Sequence, residues 1–244
     1  MLSKIDLTNR RALVTGAGSG IGRAIALRLA EAGMKVALVG RSPEKLVRTA
    51  ALTGRPLDML VLPVDLTAPR ALDDILRIMT GHFKGLDVLV NNAGMALNRP
   101  FEQTPEADYD RIMLLNAKVP FLLMQRCLPL LRTSECPTII NIGSVTAHNA
   151  YANQAVYSAS KHALLGLTKA LAKEVAGEGI RVHMISPGGV NTDMIGAARP
   201  DLPVESLIQP EEVAELAAYL VEHRGSAVID EIGLHRAGKE PFLG

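Results

Sequence analysis

Residues 12–26 read ALVTGAGSGIGRAIA: a short apolar run, a turn crowded with glycine, then a helical pattern. The glycines at 16, 20 and 22 form a GxxxGxG spacing rather than GxGxxG. Either spacing serves the same physics. Glycine lets the backbone turn sharply and approach a pyrophosphate, and a helix beginning near Ile21 aims its N-terminal N–H groups and dipole at that anion. Gly16, Ser19, Gly20, Ile21 and Gly22 are thus the first candidates for cofactor contacts.

The alternation of short apolar runs and longer helical patterns continues along the chain. Strands are expected at 12–15, 35–39, 58–64, 88–91, 138–142, 181–186 and 227–230, and helices at 21–32, 43–52, 70–83, 106–131, 151–176 and 211–223. Near-continuous apolar strands separated by helices imply an α/β fold with a parallel sheet covered on both faces. No repeat, low-complexity tract or linker interrupts the 244 residues, which are read as one domain. The loosest stretch, 192–209, reads as a flap over a site. Ligands of such sheets bind beyond the carboxyl ends of the strands, where strand order reverses.

Composition narrows the function. With 26 basic and 25 acidic residues the formal net charge is +1, which favours neither nucleic acid nor an anionic membrane surface. The 3% aromatic content, without Trp, weakens any base-stacking proposal. Cys127 and Cys136 form no CxxC pair, and the six histidines show no HxxxH or HxH spacing, so no metal is expected. Among the histidines, His148 is the one in a plausible substrate loop and His183 reads as a strand residue. A reducing, cytoplasmic compartment suits the cysteine usage. The opening MLSKIDLTNRR has no apolar run before Ala12 and does not read as a secretory signal. The apolar stretch 112–131 carries Asn116, Lys118, Gln125 and Arg126 and reads as a buried helix rather than a membrane span.

The strand ends carry the next candidates. After the second strand, where NAD-binding folds place an acid for the ribose 2′-hydroxyl, this chain has Gly40, Arg41 and Ser42. A guanidinium in place of a carboxylate suits a 2′-phosphate, so NADP(H) is preferred, with NAD(H) as the alternative. Asp65, after the third strand, suits either an adenine amino group or the N-cap of the next helix. After the fourth, Asn91, Ala93 and Gly94 offer a small polar wall against an adenosine ribose. Glu44 and Lys45 read as a solvated helix face.

TGAGSGIG at 15–22, NNAG at 91–94, Asn116, Ser144, YSASK at 157–161 and PGGVNT at 187–192 together resemble the short-chain dehydrogenase/reductase family, single-domain type. The resemblance implies a Rossmann-type, doubly wound, seven-stranded parallel sheet in three αβα layers, and hydride transfer between NAD(P)(H) and a carbonyl or alcohol. Tyr157 and Lys161, four residues apart, share a helix face. An ammonium there is expected to lower the phenol's pKa from about 10 by roughly 1–3 units, towards useful proton transfer. Ser144 is placed to donate to the substrate oxygen. By resemblance, Lys161 also bonds the nicotinamide ribose, and Asn116 holds a water that relays protons to Lys161. Pro187 and Gly188 fix the turn after the sixth strand, where Val190 and Thr192 would hold the nicotinamide carboxamide.

After residue 192 the likeness thins, and the tail SAVIDEIGLHRAGKEPFLG lacks the ITGQ…DGG ending of many relatives. The expectation is a cytoplasmic carbonyl reductase (or alcohol dehydrogenase in reverse), forming a homodimer or homotetramer through the long apolar-faced helices. Two alternatives accompany it: a 3-oxoacyl-(acyl carrier protein) reductase, for which Arg199 is the flap's candidate carrier contact, and a catalytically silent NADP-binding sensor.

Overall fold

The computed structural model describes residues 4–198 and 203–238; Arg199 lies outside the described residues. Seven strands, β1 (Arg11–Thr15), β2 (Lys35–Gly40), β3 (Met59–Pro63), β4 (Val88–Asn91), β5 (Thr138–Ile142), β6 (Arg181–Pro187) and β7 (Glu231–Leu234), pair in the order β3-β2-β1-β4-β5-β6-β7. Every pair is parallel. The order reverses between β1 and β4, which opens the crevice at their carboxyl ends.

Helices α1 (Gly20–Glu31), α2 (Pro43–Leu52), α3 (Ala71–Phe83), α4 (Glu106–Met113), α5 (Val119–Leu131), α6 (Ala155–Val175), α7 (Asp193–Ala198) and α8 (Pro210–Glu222) complete the fold. The period-2 geometry of a strand shows why apolar runs were needed on both faces. Ala12 and Val14 of β1 pack into the layer formed with α1, α2 and α8, whereas Leu13 packs into the opposite layer with α3 and α5. Val36 and Leu38 against Ala37 and Val39 repeat the pattern in β2.

Three elements differ from the sequence reading. The expected helix 106–131 is split by a π turn at Leu114–Lys118, where the N–H of Val119 bonds the Leu114 carbonyl. Pro120 supplies a reason: it has no N–H for the carbonyl of Asn116, four residues earlier, so the α-helical ladder cannot run through. The seventh strand is Glu231–Leu234, not 227–230, because the register set by Met184↔Glu231 and Pro187↔Leu234 selects the later residues. Val228 and Ile229, apolar enough to suggest a strand, remain substantially exposed. Helix α6 starts at Ala155 rather than at residue 151. The stretch read as a flap includes α7, and its base is closed by pairing of Val190 with Ile208 and of Asn191 N–H with the Ile208 carbonyl. Among the described residues no helix is long and apolar enough to cross a membrane.

At the amino ends of the strands, the fully buried Asp87 accepts from the Arg11 backbone N–H (2.7 Å), from Arg11 Nε (2.7 Å) and Nη2 (2.9 Å), and from Ser134 Oγ (2.6 Å). Burial alone would push this carboxyl up; the bonds from Arg11 and Ser134 outweigh it and hold it below the usual range. Asp87→Ala should cost about 3 kcal/mol, the low end for a broken buried pair because Arg11 can still reach water. The sign with pH follows. The folded carboxyl is the stronger acid, so its contribution is present above about pH 4 and is lost as pH falls through the depressed folded value. Urea denaturation should show the wild-type advantage at pH 7 and its decline in acid.

Candidate active site

A cavity of ≈ 870 Å³ runs along the carboxyl ends of the strands. Its centre is the turn after β1. Gly16 adopts φ 67°, a left-handed conformation that favours glycine. Ser19 stands at the N-cap of α1 without a side-chain cap bond, and the first turn of α1 holds no acid, so the helix dipole faces an uncluttered anion position. Gly16, Ser19, Gly20 and Ile21 line the cavity. Gly22 does not. A Cβ there would lie 2.3 Å from the Gly16 carbonyl oxygen and 2.4 Å from Asn92 Nδ2, so Gly22 lets α1 close onto the turn rather than touching a ligand.

The turn after β4 is tied to this one. Thr15 Oγ1 accepts from the N–H groups of Asn92 (2.9 Å) and Ala93 (3.0 Å), and Asn92 Nδ2 donates to the Thr15 carbonyl (2.9 Å). Asn92, Ala93, Gly94 and Met95 line the cavity. Asn91, expected there, instead points into the core and donates to Asn141 Oδ1 at 2.8 Å. Adjacent strand residues face opposite sides, so the expectation was displaced by one position.

At the β2–β3 end, Arg41, Ser42 and Asp65 all line the cavity. The Ser42 hydroxyl is used locally: it accepts from the Lys45 N–H as the cap of α2 and donates to Glu44. Asp65 is not the cap of α3, which begins at Ala71. It accepts instead from the Thr67 N–H (2.9 Å) and hydroxyl (2.7 Å), an Asx-type turn. Those two bonds hold its carboxyl below the usual range; slight burial opposes them, and the charges of Arg41 and Arg111 add a smaller pull. Arg111, on α4, was missed by the sequence reading because nothing local marks it. Lys45, read as solvated, also lines the cavity and reaches Asp193 of α7 at 3.2 Å.

The β5–β6 end holds Ser144, Tyr157, Lys161, Pro187, Gly188, Val190 and Thr192. Ser144 follows β5 in extended backbone, its Oγ accepts from the Thr146 N–H at 3.2 Å, and its hydroxyl lies beside the Tyr157 phenol on the cavity wall. Lys161, 5% exposed, donates to the Ile142 carbonyl at 2.9 Å, and its Nζ lies 5.8 Å from the Tyr157 ring centroid. The electrostatics correct the sequence expectation. Burial pushes the Tyr157 phenol up, and the neighbouring Ser144 hydroxyl opposes this without reversing it. Burial also pushes Lys161 down to about 8. Loss of solvation dominates both shifts.

Asn116 sits on the π turn, 1% exposed and off the cavity. Its amide is consumed by protein: Oδ1 accepts from the Met95 N–H (2.9 Å), while Nδ2 donates to the Met95 carbonyl (2.9 Å) and to Ser160 Oγ (3.0 Å). Ser160 Oγ in turn donates to the Tyr157 carbonyl at 2.7 Å. Asn116 therefore joins the β4 turn to the helix that carries Tyr157 and Lys161. His148 also lies off the cavity, with Nε2 2.6 Å from Glu231 Oε1, which accepts from Ser186 Oγ at 2.6 Å as well. His183 is buried in β6, with Nδ1 2.6 Å from the Ile229 carbonyl. Burial pushes the Cys127 thiol up to about 12, which leaves almost no thiolate near neutrality. Among the described residues no group of three or more His, Cys, Asp or Glu is placed to hold a metal.

These residues fit a nicotinamide dinucleotide: an anion cradle a Cβ would fill, cationic groups at the β2 end, and a proton-donating pair at the β5–β6 end. Comparison with known proteins agrees. The family model for short chain dehydrogenase matches residues 10–203. An uncharacterized oxidoreductase of Staphylococcus aureus strain MW2 is 34% identical over 226 residues, covering 93% of this chain and 96% of that protein. A 3-ketoacyl-(acyl-carrier-protein) reductase from Brucella melitensis, complexed with NADH, superposes with TM-score 0.86 at 29% identity, covering 95% of this chain and 98% of that one. A short chain dehydrogenase from Shigella flexneri, complexed with NADP, gives TM-score 0.85 at 29% identity over 94% of this chain and 98% of that one.

The cradle makes a direct prediction. Gly22→Ala forces the Gly16 turn to move, at a cost of about 1–3 kcal/mol. Titration with NADPH and NADH, followed by nucleotide fluorescence, should show both weakened by tenfold or more, provided circular dichroism confirms a folded variant.

Proposed function

From the premise that the chain belongs to the short-chain dehydrogenase family and is an NAD(P)-dependent oxidoreductase, we propose that it is an NADPH-preferring reductase of ketones or aldehydes. The observation that carries this reading is the gathering of Ser144, Tyr157 and Lys161 at one end of a cavity that begins at Arg41. A bound nicotinamide supplies the hydride; the remaining chemistry belongs to the chain. The two hydroxyls converge where a carbonyl oxygen would sit, so both can stabilise the charge that develops on it. Tyr157, kept protonated by burial, donates the proton. Lys161, whose ammonium titrates near 8, restores it. Asn116 holds the α6 backbone at Tyr157 through Ser160.

At the other end, Arg41 replaces the acid that would favour NAD(H), and the neighbouring Arg111 adds positive charge for a 2′-phosphate. We place the enzyme in the cytoplasm as a homo-oligomer joined through α5 and α6, where Phe121 stands 42% exposed. Likeness to the Brucella melitensis protein supports a second reading, a 3-oxoacyl thioester reductase, so such thioesters belong in the assay panel.

NADPH oxidation against ketones, aldehydes and 3-oxoacyl thioesters tests the activity. Tyr157→Phe should lower kcat/KM by about 100-fold or more while NADPH still binds. NADPH binding without turnover of any carbonyl would instead indicate a sensor. For cofactor choice, Arg41→Ala should weaken NADPH about tenfold and leave NADH little changed; equal effects would refute the preference. The pH profile has a defined sign. Lys161 is protonated below about 8, so kcat/KM for reduction should be level below that value and decline above it.

A further inference from the structure

Resting on the reductase reading, we infer that the carbonyl substrate carries an anionic group, a carboxylate or a phosphate ester, anchored by Arg236 at the β7 end of the cavity. The tail that departs from the family pattern contributes this residue. Gly188 N–H bonds the Leu234 carbonyl at 2.8 Å, which brings the chain just after β7 against the turn after β6. Arg236 then lines the cavity, half-buried, with its stem against Gly189, where a Cβ would lie 3.5 Å from Arg236 Cδ.

Its charge is under-used. The guanidinium has five donors, and its one side-chain bond among the described residues is a long one, from Nη1 to Ser206 Oγ at 3.3 Å. The two acids lining the cavity are engaged elsewhere: Asp65 with Thr67 at the β3 end and Asp193 with Lys45. Among the described residues Arg236 forms no ion pair. A half-buried guanidinium facing a cavity without a counter-charge is a site for an anion.

The cofactor's anions have sites of their own. The 2′-phosphate candidate Arg41 follows β2, five strands from β7, and the pyrophosphate cradle is the N-terminus of α1 after β1. Ser144 follows β5, two strands from β7, or about 10 Å at about 4.8 Å per strand. A carbonyl at Ser144 and Tyr157 therefore places an anion a few bonds further along the same molecule within reach of Arg236.

Calorimetric titration of pentanoate, pentanamide and butyl phosphate, with NADP+ saturating, tests the anion site without requiring turnover. Wild-type protein should bind pentanoate or butyl phosphate at least about tenfold more tightly than pentanamide. The tighter of the two anions identifies the group. Arg236→Gln should abolish that preference and Arg236→Lys should retain part of it. Equal binding of the anions and the amide, or a preference that survives Arg236→Gln, overturns the inference. Reduction of levulinate and methyl levulinate separates the two levels. An anion preference without turnover of any carbonyl leaves the site standing and refutes the reductase reading; turnover without anion preference does the reverse.

Discussion

The hydrogen bonds between Thr15 and Asn92 hold together the place on which the rest depends. Strands β1 and β4 are neighbours in space, yet the chain leaves them towards opposite halves of the sheet. Thr15 Oγ1 takes the backbone N–H groups of Asn92 and Ala93, and Asn92 returns its amide to the Thr15 carbonyl. The two turns are thereby fixed at one separation. Gly16 and Gly22 then have to be glycine, because the same Asn92 amide fills the space a Cβ would take. One polar contact at the switch point thus sets the walls of the crevice and the residue types that can line it.

From that anchor the polar core extends to the chemistry. Met95, just past the β4 turn, holds both faces of the Asn116 amide, and Asn116 reaches Ser160 on α6. The helix carrying Tyr157 and Lys161 is positioned against the strand ends by fully satisfied buried groups, which is the condition under which a polar network rigidifies a core. The π turn belongs to this arrangement. It sets Asn116 within a helical segment that Pro120 would otherwise break, and it directs the amide at two elements at once. Dehydration then sets the protonation states: a phenol that keeps its proton and an ammonium that gives its proton up near 8.

Charge is distributed unevenly along the cavity. Arg41 and Arg111 stand near Asp65 at the β2–β3 end, Lys161 is tied to the Ile142 carbonyl in the middle, and Arg236 stands at the β7 end. Lys45 and Asp193 span from α2 to α7, an exposed pair of the kind that contributes little to stability. A long ligand with anionic groups at separated points is the chemistry that such a pattern complements. The divergent tail also reaches the catalytic side by a second route, since Glu231 joins His148, four residues past Ser144, to Ser186 of β6.

The sequence by itself determined what depends on local periodicity. Apolar runs at strand spacing gave six of the strands to within about two residues, the glycine turn marked the start of α1, and the four-residue interval between Tyr157 and Lys161 placed them on one helix face. The tertiary structure alone decided which neighbour of a pair faces the cavity, as with Asn91 and Asn92, which residues of the tail pair with β6, and how the 106–131 helix accommodates Pro120. It also decided the sign of the Tyr157 shift and the presence of Arg111 and Arg236 at the site. The reason is physical. Secondary structure follows from backbone geometry over a few residues, whereas strand register, desolvation and the meeting of side chains distant in sequence depend on which surfaces pack together, and a spacing pattern does not encode that.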